Sequence, residues 1–150
     1  MPFSRILVAV DGSDSSDKVF DTAAQLSKLS GGKLFIIHVV MPLTGVGMLG
    51  YNYDASTIEK LQQDLEERGK KILSKYSADA KEKYNIANAE TILAQGTSPP
   101  DAILREATSK AADIIVVGSK GYGGGIKQIF IGSVPNSVLH HATIPVLLVK

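Results

Sequence analysis

The chain contains no cysteine and no tryptophan. Disulfide staples, thiolate zinc sites and cysteine nucleophiles are therefore excluded at the outset. Charge of either sign is not in excess: 16 Lys and Arg face 15 Asp and Glu, for a formal net charge of +1. That balance lacks the basic stripe of a general nucleic-acid binder. Long hydrophobic runs are missing as well. The opening apolar run, Ile6 to Val10, stops at Asp11 and is too short to span a bilayer or to serve as a secretory leader. These absences predict a cytoplasmic protein with neither nucleic acid nor membrane as partner. What remains is an ordinary globular composition, 44% hydrophobic and 21% charged over 150 residues, enough for one domain with one continuous core.

Apolar runs set the frame. Ile6–Val10, Leu34–Val39 and Ile114–Val117 are rich in Val and Ile and do not alternate with polar residues. Ile144–Val149 is similar but carries Pro145, and Ala89–Ala94 is a weaker fifth run. Continuous runs of this length suit strands covered on both faces, as in a parallel sheet. Helical patterns lie between them. The first begins at Ser13 as N-cap, with Asp14 and Asp17 in the first turn, and ends at Gly31-Gly32. The second spans 55–84 with an apolar face of Ile58, Leu61, Leu65, Ile72, Tyr76 and Ala80, with Glu66/Lys70 and Glu67/Lys71 spaced as outer ion pairs. Gly69 interrupts it for no reason visible in the sequence. Ser98-Pro99-Pro100-Asp101 reads as a capped helix start, with Pro99 at the first helical position. A last helix begins near Ser133 and carries Val134, Val138 and Leu139. The resulting β-α-β-α-β-α-β-α-β order predicts an α/β fold: a parallel sheet with right-handed crossovers and helices on both faces, in one domain over 1–150. Met41 to Asp54 is the one long loop.

Ligands of open parallel sheets bind at the carboxyl ends of the strands. Of the strand ends, the segment beginning at Gly118 is the most informative, with five glycines in the eight residues 118–125. Glycine lets main-chain N–H groups turn toward an anion and removes side chains from its path. Lys120 and Lys127 add positive charge, and Gly132-Ser133 opens a helix whose first N–H groups are unpaired. Together these point to phosphate binding rather than to a plain flexible turn. Neither the P-loop pattern nor the dinucleotide fingerprint after the first strand is present. Asp11 fits two compatible roles, a ligand to ribose or a divalent metal, and a turn aspartate acting with Ser13 at the helix start. His38 reads as a packed or hydrogen-bonded core histidine, and His140-His141 as helix C-terminal residues suited to the dipole. Tyr51 and Tyr53 read as ordinary aromatics of an exposed loop. No triad, paired carboxylates or metal cluster is visible, so no catalytic residue is assigned.

Several segments resemble the universal stress protein family, in its small, single-domain, ATP-binding form. They are Ile6-Leu-Val-Ala-Val-Asp-Gly-Ser13, Leu34-Phe-Ile-Ile-His-Val-Val40, Ala112-Asp-Ile-Ile-Val-Val-Gly-Ser-Lys-Gly121 and the closing Gly132 to Lys150. ATP-binding members resemble one another in a Gly-x2-Gly-x9-Gly-Ser/Thr pattern. Gly118, Gly121, Gly132 and Ser133 fit it, with ten residues, 122–131, where the pattern has nine. The resemblance implies a Rossmann-like sheet of the adenine nucleotide alpha hydrolase type, five strands in the order 3-2-1-4-5. It implies ATP as ligand, with Mg2+ or Mn2+. Ala9, Val10 and Asp11 would flank the adenosine, with Asp11 toward ribose or metal, and Val39 would meet the adenine through its main chain. Val117 and Gly118 would lie under the nucleoside, with Ser119 in the same segment and Lys120 toward the phosphates. Gly121, Gly132, Ser133 and Val134 would wrap the phosphate chain. A homodimer through Val146–Val149 is implied too, and an apolar strand at a sheet edge invites such pairing. The function expected is a nucleotide-dependent stress or signalling regulator. Its alternatives are a dimeric interaction module that does not use ATP and a slow ATP hydrolase, with Ser133 as helix cap in preference to phosphate acceptor. A flavodoxin-like carrier is a weaker rival, because the turn Asp11-Gly12-Ser13 is too short and acidic for its phosphate loop.

Overall fold

The fold is that of a computed structural model, which describes residues 3–43, 54–120 and 131–150. In chain order the elements are β1 (Arg5–Ala9), α1 (Asp14–Ser30), β2 (Lys33–Val40), α2 (Ala55–Tyr84), β3 (Glu90–Gln95), α3 (Pro99–Ser109), β4 (Ile114–Gly118), α4 (Ser133–His141) and β5 (Val146–Val149). All strand pairs are parallel, in the order β3-β2-β1-β4-β5. Strand β1 is central because its Ile6, Leu7 and Val8 are wholly buried and can be covered only by neighbours on both edges and both faces. Side chains alternate across the sheet. Ile6, Val8, Ile36 and Val116 meet Phe20, Leu73 and Tyr76 of α1 and α2 on one face. Leu7, Phe35, Ile37 and Ile115 meet Ile103 and Val138 of α3 and α4 on the other. Each of these large side chains contributes about 1.5–3 kcal/mol on burial, which makes the two layers the main stabilising term.

The helix ends differ in detail from the sequence reading. Gly31 closes α1 in the left-handed region, φ 70°, as expected. Ser13 and Ser98 stand at their N-cap positions, but neither side chain caps the helix. Ser13 Oγ donates to Asp11 Oδ1 instead, at 2.5 Å. The 55–84 helix has the expected bounds and is capped by Asp54, whose Oδ1 accepts from the Thr57 N–H at 2.7 Å. Its inner face holds Leu73 in place of Leu61, which is 43% exposed. Glu66 takes hydrogen bonds from Gln62 and Gln95 and no ion pair with Lys70 among the described residues. Gly69 now has a reason: a Cβ there would lie 2.7 Å from Leu93 Cδ1 and 3.0 Å from His38 Cδ2. The missing side chain lets α2 approach β2 and β3. Among the described residues no helix is long and apolar enough to cross a membrane.

Candidate functional site

The chain leaves β1 toward β2 on one side and reaches β4 on the other, so the strand order reverses between β1 and β4. Loops leaving adjacent strands in opposite directions open a crevice at the carboxyl ends. A cleft of about 580 Å3 lies there. All the sequence-predicted site residues line it except Gly121, which lies outside the described residues, as do Lys127, Tyr51 and Tyr53.

Strand β1 delivers Asp11 just past its end. Asp11 Oδ1 accepts from the Ser13 N–H at 2.9 Å, from Ser13 Oγ at 2.5 Å and from Ser16 Oγ at 2.6 Å. The Asp11 N–H donates in return to Ser16 Oγ at 2.9 Å. Partial burial would raise its pKa, but the bonds from Ser13 and Ser16 together outweigh burial and hold it below the usual carboxylate value. The carboxylate is thus fixed and charged, with Oδ2 free of partners among the described residues. Of the two roles foreseen for Asp11, the bonds with Ser13 and Ser16 bear out the turn aspartate that organises the start of α1, and its carboxylate lines the cleft.

Strand β2 delivers Val39. The Val10 N–H donates to the Ile37 carbonyl at 2.9 Å, so odd-numbered residues of β2 turn their main-chain groups toward β1. Gly96 N–H donates to the Val40 carbonyl at 3.3 Å, so even-numbered ones face β3. β1 ends at Ala9, and the N–H and C=O of Val39, which lines the cleft, have no main-chain partner among the described residues. His38 Nδ1 donates to the Val10 carbonyl at 2.8 Å, which bears out its reading as a hydrogen-bonded histidine, although it also lines the cleft.

Strand β4 and helix α4 form the opposite wall. The Gly132 N–H donates to the Ser119 carbonyl at 2.9 Å and the Asn136 N–H to the Gly132 carbonyl at 3.0 Å, which pins the start of α4 to the end of β4. Pro135 has no N–H. The N–H groups of Ser133 and Val134 are thus the orphan donors of this helix start, and they have no partner among the described residues. A Cβ at Gly132 would meet only ordinary contacts, at 3.5 Å from Pro135 Cδ and the Ser119 carbonyl oxygen, and φ is −59°. Neither packing against the described residues nor backbone conformation demands glycine there. By contrast, a Cβ at Gly118 would lie 2.9 Å from Val19 Cγ2, so that glycine lets α1 close over the end of β4.

The family model described as universal stress protein family matches residues 2–150. The chain belongs to the universal stress protein family. It is 37% identical to universal stress protein YxiE of Bacillus subtilis, over 99% of each chain. A universal stress protein from Archaeoglobus fulgidus, solved in complex with dAMP, superposes with a TM-score of 0.66 at 28% identity, covering 100% of both chains. Another universal stress protein, solved in complex with cAMP, superposes with a TM-score of 0.69 at 26% identity, covering 100% of this chain and 98% of that one.

Sequence reasoning missed several residues of this universal stress protein's cleft. Ser15, Ser16 and Val19 belong to the first turns of α1, and their place follows once that helix is seen to start at the cleft. Met41, Pro99, Ile103 and Pro135 also line it, and no local pattern marks them. Pro135 could have been found by asking which early amides of α4 exist at all. Among the described residues no group of three His, Asp or Glu side chains is placed to hold a metal.

Proposed function

We propose that the cleft binds an adenine nucleotide, ATP in company with Mg2+ or Mn2+, and that occupancy regulates a stress or signalling response. One observation carries the reading: the cleft is lined by a main-chain donor and acceptor at Val39 on one wall and an amide pair at Ser133 and Val134 on the other, all without partners among the described residues. The Val39 edge complements adenine, whose N1 accepts and whose N6 donates; guanine presents the opposite order. The amide pair, at the positive end of α4, complements phosphate. Asp11, which lines the same cleft, suits a ribose hydroxyl or a metal through its Oδ2. Mg2+ commonly takes one carboxylate and completes its shell with phosphate oxygens and water, so one free Asp11 oxygen fits a metal that arrives with the nucleotide. Lys120 would balance phosphate charge, and Gly121 would join the phosphate wrap.

A regulator fits better than an efficient enzyme. Asp11 is the one carboxylate lining the cleft among the described residues, and its lowered pKa makes it a weak general base. The active unit is a cytoplasmic homodimer joined through Val146–Val149. The decisive measurement is the nucleotide content of freshly purified protein, released by denaturation and resolved by ion-exchange chromatography, followed by calorimetric titration with Mg·ATP and Mg·GTP. Bound adenine nucleotide and saturable Mg·ATP binding are expected. A protein that is empty and binds neither would sink the proposal and leave a dimeric interaction module.

A further inference from the structure

His38 was expected to be part of the core, and its ring does pack against Gly69. Its hydrogen bond, however, has a consequence for the neighbouring residue. In an unbroken parallel ladder the Val39 N–H would donate to the Val10 carbonyl, because Val10 already donates to Ile37 and the bonds of such a pair alternate along the strands. That main-chain bond is absent. The Val10 carbonyl instead accepts from His38 Nδ1 at 2.8 Å. The imidazole thus engages, from the side of β2, the carbonyl that the sheet would offer to Val39. Val39 is half-buried and lines the cleft, so its N–H is left to water or to a ligand.

We propose that His38 is a positioning residue for base recognition: by holding the Val10 carbonyl it keeps the Val39 N–H free for the ring nitrogen of an adenine. The inference rests on the reading of the cleft as a nucleotide site, and it goes further by assigning base selectivity to a side chain that does not itself face the base edge. Without the imidazole donor, the Val10 carbonyl regains its ladder partner, β1 and β2 zip one step further, and the Val39 donor is lost to the ligand. The Val39 carbonyl would still accept from N6. Adenine would then lose one of two bonds, whereas hypoxanthine, with N1–H and O6, has little to lose.

Two variants separate this role from a merely structural one. His38→Leu removes the donor at similar bulk. His38→Asn restores it, since the Asn amide nitrogen occupies nearly the place of Nδ1. The first readout needs no ligand: amide hydrogen exchange of Val39, followed by NMR in labelled protein. Exchange at Val39 is expected to be fast in the parent protein, to slow by about tenfold or more in His38→Leu as the ladder bond forms, and to return in His38→Asn. The second is the ratio of ATP to ITP affinity, expected to fall by about tenfold in His38→Leu and to recover in His38→Asn. Circular dichroism checks that both variants fold. Parent protein that binds ATP, together with an unchanged Val39 exchange rate and an unchanged ATP:ITP ratio in His38→Leu, overturns the role of His38 while leaving the nucleotide site standing. Parent protein that binds no nucleotide overturns both.

Discussion

Glycines at 69, 118 and 132 look alike in the sequence and differ in what requires them. At 69 and 118 the requirement is internal, since a Cβ would press on Leu93 and His38 or on Val19. At 132 nothing among the described residues would press on a methyl group. The proposed phosphate would supply a demand from outside the chain, because it would have to come within hydrogen-bond distance of the Ser133 and Val134 amides. Gly132→Ala is therefore expected to change stability by less than about 1 kcal/mol, the scale of an N-cap substitution, in a urea titration. The same variant is expected to weaken Mg·ATP binding by about tenfold or more in calorimetry, equivalent to about 1.4 kcal/mol. Equal affinity in parent and variant would count against the phosphate end of the site. Legibility at this scale was uneven. Asp11, Gly118 and Ser133 could be singled out because strand ends and helix starts have local signatures. Gly69 could not, because its reason is the proximity of residues 24 and 31 positions away in the chain, Leu93 and His38.

Helices α1 and α2 are joined by a polar clamp laid over an aromatic stack. Asp17 Oδ1 accepts from Lys75 Nζ and from the Tyr76 hydroxyl, both at 2.7 Å, and the Tyr84 hydroxyl donates to Asp21 at 2.8 Å. Beneath these bonds the Phe20 and Tyr76 rings lie 4.8 Å apart, centroid to centroid. The sequence placed Tyr76 on the apolar face but gave no sign that its hydroxyl would meet Asp17, 59 residues earlier. Burial, aided by the adjacent Asp17 carboxylate, pushes the Tyr76 phenol well above the ordinary value of 10. A raised pKa means that the folded state holds the proton more tightly than the unfolded chain does. The clamp's contribution is therefore complete below pH 10 and declines as the pH rises beyond that value toward the folded pKa. Tyr76→Phe keeps the stack and removes the hydroxyl. It is expected to cost about 0.5–1 kcal/mol at neutral pH, since Lys75 still engages Asp17. It should also flatten the alkaline fall in stability, as read from urea midpoints between neutrality and strong alkali. A fall as steep as the parent's would place the alkaline sensitivity elsewhere.

For the whole molecule, the alternation of apolar runs and helical patterns was enough to read a doubly covered parallel sheet, because the lack of polar alternation in β1, β2 and β4 reports burial on both faces. The strand order is a different matter. Nothing in composition or spacing distinguishes the order 3-2-1-4-5 from other parallel orders, and it was expected on family resemblance alone. That order leaves β5 at an edge. Ile115 and Ser119 donate to the Pro145 and Val149 carbonyls, so the main-chain groups of Val146 and Leu148 point away from β4. An edge with a free donor there suits a second copy of the chain. Leu148→Pro removes that outward N–H and no β4–β5 bond, and it is expected to turn the proposed dimer into a folded monomer in light scattering with circular dichroism. A variant that remains dimeric would move the interface elsewhere. The reversal between β1 and β4 has one more consequence. The cleft's two walls, β2 on one side and α4 on the other, belong to opposite halves of the sheet. A molecule seated from Val39 to Ser133 would work as a rivet through both halves. Its departure would loosen the fold as well as empty the site, so resistance to proteolysis, and with it the protein's persistence in a cell, would rise and fall with the supply of that molecule.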